Sequence, residues 1–364
     1  MKSLADLLTV LLLDCGRKST APVHRSIKTL RRRVESEGDS FITITLPDFC
    51  KDFERALAEG RIAPGSFRFF KRNDWELPRF LSEFLCNIFD SRGVLLPNPS
   101  VDCIRSVRQI CLFGKKILRP CSQARAKDAI DGFLSCDDEL EVSNSGQLYR
   151  WYLATARVIN RALALDDEVR EGLMPVHGPG ATAERITGNQ KWVFRRWHRR
   201  LERVGFTYTK FGIAQSNWVN ELFESHWPTF VKASEEEPTR LVLVPKTLKT
   251  PRIIAVEPVC MQFAQQAYSR LLVRQLNRCR LTSGHVNFTD QTVNQSLALQ
   301  GSVDGQVATI DMAEASDRVS IDHVIYMFEK SPLFRAGIFA CRSRSTILPS
   351  GEVYFPEKFA SMGS

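Results

Sequence analysis

Residues 305–320 read Gly-Gln-Val-Ala-Thr-Ile-Asp-Met-Ala-Glu-Ala-Ser-Asp-Arg-Val-Ser. The apolar and β-branched run at 307–310 predicts a short buried strand that ends on the carboxylate of Asp311. Asp317 follows, just ahead of Ile321, Val324, Ile325 and Phe328, which recur at helical spacing. A carboxylate held at a strand end suits Mg²⁺, a hard ion that takes oxygen ligands and shares them with substrate phosphates. The backbone carbonyl of Met312 adds another oxygen, and Glu314 reads as solvated. Asp317 either touches the substrate or caps the following helix through its side-chain oxygen.

Upstream, residues 241–256 read as two apolar runs bracketing Lys246, Lys249 and Arg252. Pro245 and Pro251 break the stretch, so the three-residue spacing is not a helix face. A basic loop between two strands brings several cations to one polyphosphate, with Arg giving bidentate contacts and Lys point charges. A solvated charge cluster is the plainer reading of the same residues. Downstream lies Ser361-Met362-Gly363, a Ser-x-Gly sequence of the kind used where backbone approaches a ligand closely. At 195–200, Arg195, Arg196, Arg199 and Arg200 surround Trp197, which suits single-stranded RNA by charge and stacking. A charged helix face accounts for that run as well.

A formal charge of +9 and a pI near 9.1 favour a polyanionic partner, because cations that neutralise phosphates release counterions. The ten cysteines contain no Cys-x-x-Cys pair, which argues against a zinc site and fits reduced thiols in a cytosol. The apolar N-terminus is interrupted by Asp6 and Asp14, so an amphipathic docking helix is expected there rather than a signal peptide. No apolar run approaches membrane-spanning length. Residues 1–170 read as mainly helical, with 78–90 and 147–165 showing a period near 3.6, while 41–46 alternates like a strand. A helix is expected over 259–280, with Met261, Ala264, Tyr268 and Leu271 inward and Arg270, Arg274 and Arg278 sharing another face. Short strands mixed with longer helices point to an α+β fold.

Taken in order, five stretches resemble one family. They are His177-Gly-Pro-Gly-Ala-Thr182; residues 244–252 running on to Glu257-Pro258; residues 290–295, with Asp290 and Asn294; Thr309-Ile-Asp311 with residues 316–320; and Leu348-Pro-Ser-Gly351 with residues 358–363. Together they are similar to the RNA-dependent RNA polymerases, and closer still in wording to the replicase beta subunits of the positive-strand RNA bacteriophages (leviviruses). The resemblance covers roughly residues 171–364. It implies a right-hand polymerase: a mainly helical region at 1–170, fingers with a basic NTP-binding loop at 171–300, and the start of a palm at 301–364. The family's Gly-Asp-Asp sequence occurs nowhere in these 364 residues, so the palm is expected to be incomplete and the chain truncated.

The same resemblance implies template-directed nucleotidyl transfer from NTPs to RNA for genome replication. In it Asp311 is the catalytic carboxylate and, with Met312, a metal ligand in a site that holds two Mg²⁺ ions when complete. Lys246, Lys249 and Arg252 grip the triphosphate, Asp317 lies by the ribose, and Ser361 and Gly363 form the turn at the templating pair. Ser364 stands where the family often has Asn. Implied partners are RNA template and product, NTPs, host elongation factors Tu and Ts and a ribosomal RNA-binding protein, in the cytoplasm of a bacterial host with no membrane. The alternatives are an inactive fragment that binds RNA or NTP, and a reverse transcriptase. Ala315-Ser316-Asp317 speaks against the latter, which carries a bulky aromatic where the ribose is checked.

Overall fold

The computed structural model describes residues 4–72, 76–142, 147–212 and 227–363, so Ser364 lies outside the described residues. The chain divides into two compact units, residues 1–129 with 244–252, and residues 130–243 with 253–364. Helices and short strands are mixed, as an α+β fold requires.

The first unit is helical. Helix α1 (Leu4–Lys18) turns Leu8, Leu12 and Cys15 inward, and Asp6 opens it while Arg17 and Lys18 close it, in the sense its dipole favours. The expected N-terminal helix therefore exists, and its apolar face is spent on this unit's own core. Helix α2 (His24–Glu37) buries Leu30 and Ser26, whose hydroxyl accepts from the Leu81 N–H at 2.9 Å. Helices α3 (Leu46–Glu59), α4 (Ser82–Leu85) and α5 (Val101–Leu112) complete the packing, and α6 (Gln123–Asp138) runs across the division. Phenylalanines fill the centre: Phe70 stacks on Phe80 at 5.3 Å, and Phe49 meets Phe67 at 4.5 Å.

Two expectations fail here. Residues 41–46 form a π-turn, Phe41–Thr45, that leads directly into α3. Alternation over so few residues also fits a helical turn, and burial of Phe41, Ile42 and Thr43 with the Thr43 hydroxyl on the Asp39 carbonyl at 2.8 Å decides it. Within 78–90 only the single turn α4 is α-helical, because Leu81 takes a left-handed φ of 57° just before it.

In the second unit, α7 (Gln147–Leu163) and α8 (Leu165–Glu171) precede β1 (Arg196–His198), α9 (Arg199–Glu202), α10 (Tyr208–Phe211) and β2 (Thr229–Val231). Strands β3 (Thr239–Val244) and β4 (Arg252–Val256) flank the basic loop, and α11 (Val259–Arg278), α12 (Thr292–Asp304), α13 (Ile321–Met327) and α14 (Pro332–Cys341) follow. The hairpin β5 (Thr346–Ile347) and β6 (Val353–Tyr354) completes a four-stranded sheet of order β4-β3-β5-β6, with β3 and β5 parallel and β5 and β6 antiparallel. Strand β1 pairs separately with β2.

Helix α11 is as expected, with Met261, Ala264, Tyr268 and Leu271 buried and Arg270, Arg274 and Arg278 exposed. It packs on α14, where Gly337 is required because a Cβ would collide with the Tyr268 ring. A smaller core joins Phe133 of α6 to Leu241, Ala255 and Leu348. No described helix is long and apolar enough to cross a membrane.

The expected strand at 307–310 is absent. Residues 306–312 are irregular and exposed, and α12 just before them buries no side chain. A strand of four residues is stabilised only by pairing, and the four-stranded sheet includes no strand from this segment.

His198 on β1 is buried with neither ring nitrogen hydrogen-bonded among the described residues, and burial and then the Arg200 and Arg196 charges push its pKa from 6.5 down to about 4. The unfolded chain therefore binds this proton first, and stability present above pH 6.5 is lost as pH falls toward 4. The expected loss is about 3 kcal/mol from this group. Urea unfolding at pH 7 and pH 4.5 measures it, and a His198→Leu variant whose pH slope matches the wild type would refute the assignment.

Candidate nucleotide and RNA site

Stretches far apart in sequence meet beside β4. The Phe359 N–H donates to the Val319 carbonyl at 2.7 Å and the Ile321 N–H to the Glu357 carbonyl at 3.1 Å, so residues 319–321 and 357–359 bridge antiparallel. The Ala255 N–H donates to the Met362 carbonyl at 3.0 Å, which lays the Ser-x-Gly turn along β4. Gly363 has φ of 98°, and a Cβ there would lie 2.5 Å from Ile254 Cγ2. Glycine at 363 is thus demanded by the chain's own close packing as well as by its left-handed backbone. Ser361 is half-buried in the same turn.

Arg342 holds this segment from behind. Its guanidinium donates to the carbonyls of Phe359 at 2.7 Å, Pro356 at 2.9 Å and Lys358 at 2.9 Å. Beneath lies a buried ion cluster. Asp137 at the end of α6 accepts from the Tyr354 hydroxyl at 2.7 Å and from the N–H groups of Glu357 and Lys358 at 2.8 Å each. The Lys358 ammonium sits 3.3 Å from Asp317 and 4.0 Å from Asp137. Asp137 carried no motif signal, since an acid near a helix end reads as solvated until its partners are known. Asp317 does not cap α13. Ser320 does, accepting from the His323 N–H at 3.2 Å in a capping box completed by the His323 ring.

Asp311 and Met312 lie on the exposed irregular segment, not at a strand end. Among the described residues no three His, Cys, Asp or Glu side chains are grouped to hold a metal ion. A lone exposed carboxylate fits a Mg²⁺ carried by nucleotide phosphates, because that ion is bound through one or two carboxylates plus phosphate and water. It does not fit a two-ion clamp. Asp290 plays a structural part at the start of α12. Its side chain accepts from the Thr292 N–H at 2.9 Å and hydroxyl at 2.6 Å, and these bonds lower its pKa.

Lys246, Lys249 and Arg252 are all exposed on the loop assigned to the first unit, where the Arg125 guanidinium holds the Leu248 carbonyl at 2.9 Å. The run at 195–200 divides. Arg195 and Arg199 are exposed, and Arg196 is half-buried and paired with Glu237. Trp197 corrects the expectation of base stacking: it is fully buried, packs edge-on against Phe194 at 5.0 Å and donates its indole N–H to the Phe206 carbonyl at 3.2 Å. Arg200 is drawn inward too, pairing with Glu236 at 2.9 Å and with the Phe339 carbonyl at 3.0 Å. These partners, not an RNA backbone, set its place.

The His177-Gly-Pro-Gly turn is organised around a cation. The buried Lys191 ammonium takes the carbonyls of Gly178, at 2.7 Å, and Gly180. Phosphate cradles aim N–H groups at an anion, whereas this turn aims carbonyls at an ammonium, which makes it structural.

Comparison with a known protein family covers the later of these stretches and not residues 177–200. Residues 219–364 match the family model described as RNA replicase, beta-chain. The chain is 34% identical over 125 residues to the RNA-directed RNA polymerase subunit beta of Qbeta virus (strain MX1), an alignment covering 34% of this chain and 20% of that protein. It is 38% identical over 125 residues to the corresponding subunit of Enterobacteria phage SP, with the same coverage. Against the RNA-directed RNA polymerase beta chain of Escherichia phage MS2 it is 35% identical over 140 residues, 37% of this chain and 24% of that one. The matched part is thus about a fifth to a quarter of these relatives' length.

Replacing Arg342 by Met removes three charge-assisted hydrogen bonds from residues 356–359. The expected cost is about 2 kcal/mol locally, seen as faster amide exchange at Phe359 and Ala255. Unchanged protection there would show that the backbone bridges suffice without it.

Proposed function

We propose that this chain is part of an RNA-directed RNA polymerase of an RNA bacteriophage and supplies the nucleotide- and RNA-facing parts of template-directed nucleotidyl transfer. The observation that carries the reading is the meeting of the Asp317 turn, the Lys358–Gly363 stretch and β4 at one place, inside the region similar to the replicase family. Residues 171–300, with the basic loop at 244–252, are read as fingers and residues 301–364 as the start of the palm.

In this reading Lys246, Lys249 and Arg252 neutralise triphosphate charge, an electrostatic and positioning role of the kind phosphoryl transfer requires. Asp311, with the Met312 carbonyl, offers oxygen to a nucleotide-borne Mg²⁺, whose chemistry is to neutralise the phosphates. Asp317 accepts from the ribose 2′-hydroxyl, and Ser361 and Gly363 face the templating pair. Arg195 and Arg199 meet the RNA backbone, which carries no sequence information and leaves copying to base pairing. Host elongation factors Tu and Ts and a ribosomal RNA-binding protein are the proposed partners of the helical N-terminal region, in the bacterial cytoplasm. The second reading is RNA and nucleotide binding without turnover.

The test expresses the whole reading frame that encodes this chain and measures Mg²⁺-dependent NTP incorporation on RNA. Asp311→Ala is expected to lower incorporation at least roughly a hundredfold, by analogy with loss of one electrostatic stabiliser. Lys246→Ala with Lys249→Ala is expected to weaken triphosphate binding and to flatten its salt dependence. Full incorporation in the Asp311 variant would refute the role given to Asp311, and absence of both incorporation and RNA retention in the wild type would refute the polymerase assignment. RNA retention without incorporation in the wild type would establish the second reading.

A further inference from the structure

Lys358 has no solvent-exposed side-chain surface, and neither has Asp137. The ammonium lies 3.4 Å from the centroid of the Phe133 ring, 3.3 Å from the Phe133 carbonyl, 3.3 Å from Asp317 Oδ1 and 4.0 Å from Asp137 Oδ1. An apolar residue of similar size commonly fills such a place at no cost in stability, so a cation here serves something other than packing.

The two carboxylates differ. Asp137 is enclosed and accepts three hydrogen bonds from Tyr354, Glu357 and Lys358. Its position is fixed without help from the ammonium. Asp317 is the partner that reaches water, with its side chain 18% exposed. The lysine takes Oδ1, and among the described residues Oδ2 has only the Ser316 hydroxyl at 3.5 Å. The turn that carries Asp317 is itself tied to the end of α6, through Arg318 on Glu139 at 2.9 Å and the Cys136 thiol 3.9 Å from the Asp317 carbonyl. A carboxylate with one oxygen on a buried, immobile cation presents the other in a single orientation, the arrangement that a hydroxyl-reading site requires of its supporting groups.

We infer that Lys358 is a positioning residue for Asp317: it fixes the carboxylate from the buried side so that Oδ2 accepts from the ribose hydroxyl and discriminates ribonucleotides from 2′-deoxyribonucleotides. This rests on the reading of Asp317 given above. Asp137 in turn orients Lys358, so discrimination extends to a helix that touches no nucleotide.

The experiment measures equilibrium binding of UTP and 2′-deoxy-UTP, with Mg²⁺, to the full chain and to Asp317→Ala, Lys358→Met and the double variant, with urea unfolding as the check on folding. The wild type is expected to prefer UTP, and Asp317→Ala to abolish that preference. Lys358→Met is expected to lower the UTP to 2′-deoxy-UTP affinity ratio roughly tenfold, the scale of one hydrogen bond to a charged group. In the double variant Lys358→Met changes the ratio no further, which general loosening of the fold would not produce. Should Lys358→Met not fold, Lys358→Leu likewise removes the donor and the charge and is read in the same way. A folded Lys358 variant with the wild-type ratio, while Asp317→Ala loses it, overturns this inference and leaves the Asp317 reading intact. No preference in the wild type, or a preference that survives Asp317→Ala, overturns the Asp317 reading and this inference with it.

Discussion

An ammonium ion removed from water must find its compensation in the fold, and in the second unit that requirement falls on Lys358. Even after relaxation such a burial costs several kcal/mol per ion unless partners replace the lost hydration. Phe133 and Asp137 come from α6, and Asp317 from the turn before α13. Asp137 also fixes the backbone on both sides of the Glu357–Lys358 peptide and the hydroxyl of Tyr354 on β6. None of these elements satisfies the ion without the others. Helix, hairpin and turn therefore form as one cooperative assembly, and the residues proposed to face the nucleotide inherit their places from it.

What the sequence made legible follows the length of each periodic signal. Helix α11 is long, and its inward set of Met261, Ala264, Tyr268 and Leu271 was readable because a helix of 20 residues averages over local exceptions. The segments at 41–46 and 307–310 are too short for that. The first alternates, but its burial and the Thr43 back-bond belong to a helical turn. The second has β-branched residues but no partner strand within the sheet, and pairing is a tertiary fact that composition does not carry.

The site was legible to the extent that its residues sit in motifs. The Asp317 turn and the Lys358–Gly363 stretch were both singled out, and they prove to be neighbours. Their connection was not legible, since Asp137 lies 180 residues before Asp317 in an ordinary helix. Gly363 was read as a place where backbone approaches a ligand, and the close approach that the fold shows there is to Ile254 and Ala255. Trp197 was misread because interleaving with arginines looks the same whether an aromatic points outward to a base or inward to Phe194 and Tyr208.

The cations show most clearly why charge counted along a chain overstates a polyanion surface. Lys191 and Lys358 are buried, and Arg200 and Arg342 are drawn inward onto carbonyls. Each contributes to the net charge of +9, yet each is turned inward, away from any phosphate whose counterions it could displace. Lys246, Lys249, Arg252, Arg195 and Arg199 remain exposed. The two groups are distinguished by what surrounds them: Lys191 and Arg342 donate to backbone carbonyls and so order loops, whereas Lys246, Lys249 and Arg252 are exposed on theirs. A lysine that clamps carbonyls inside the fold is thus withdrawn from the surface, whereas Lys246 and Lys249 stay exposed on their loop.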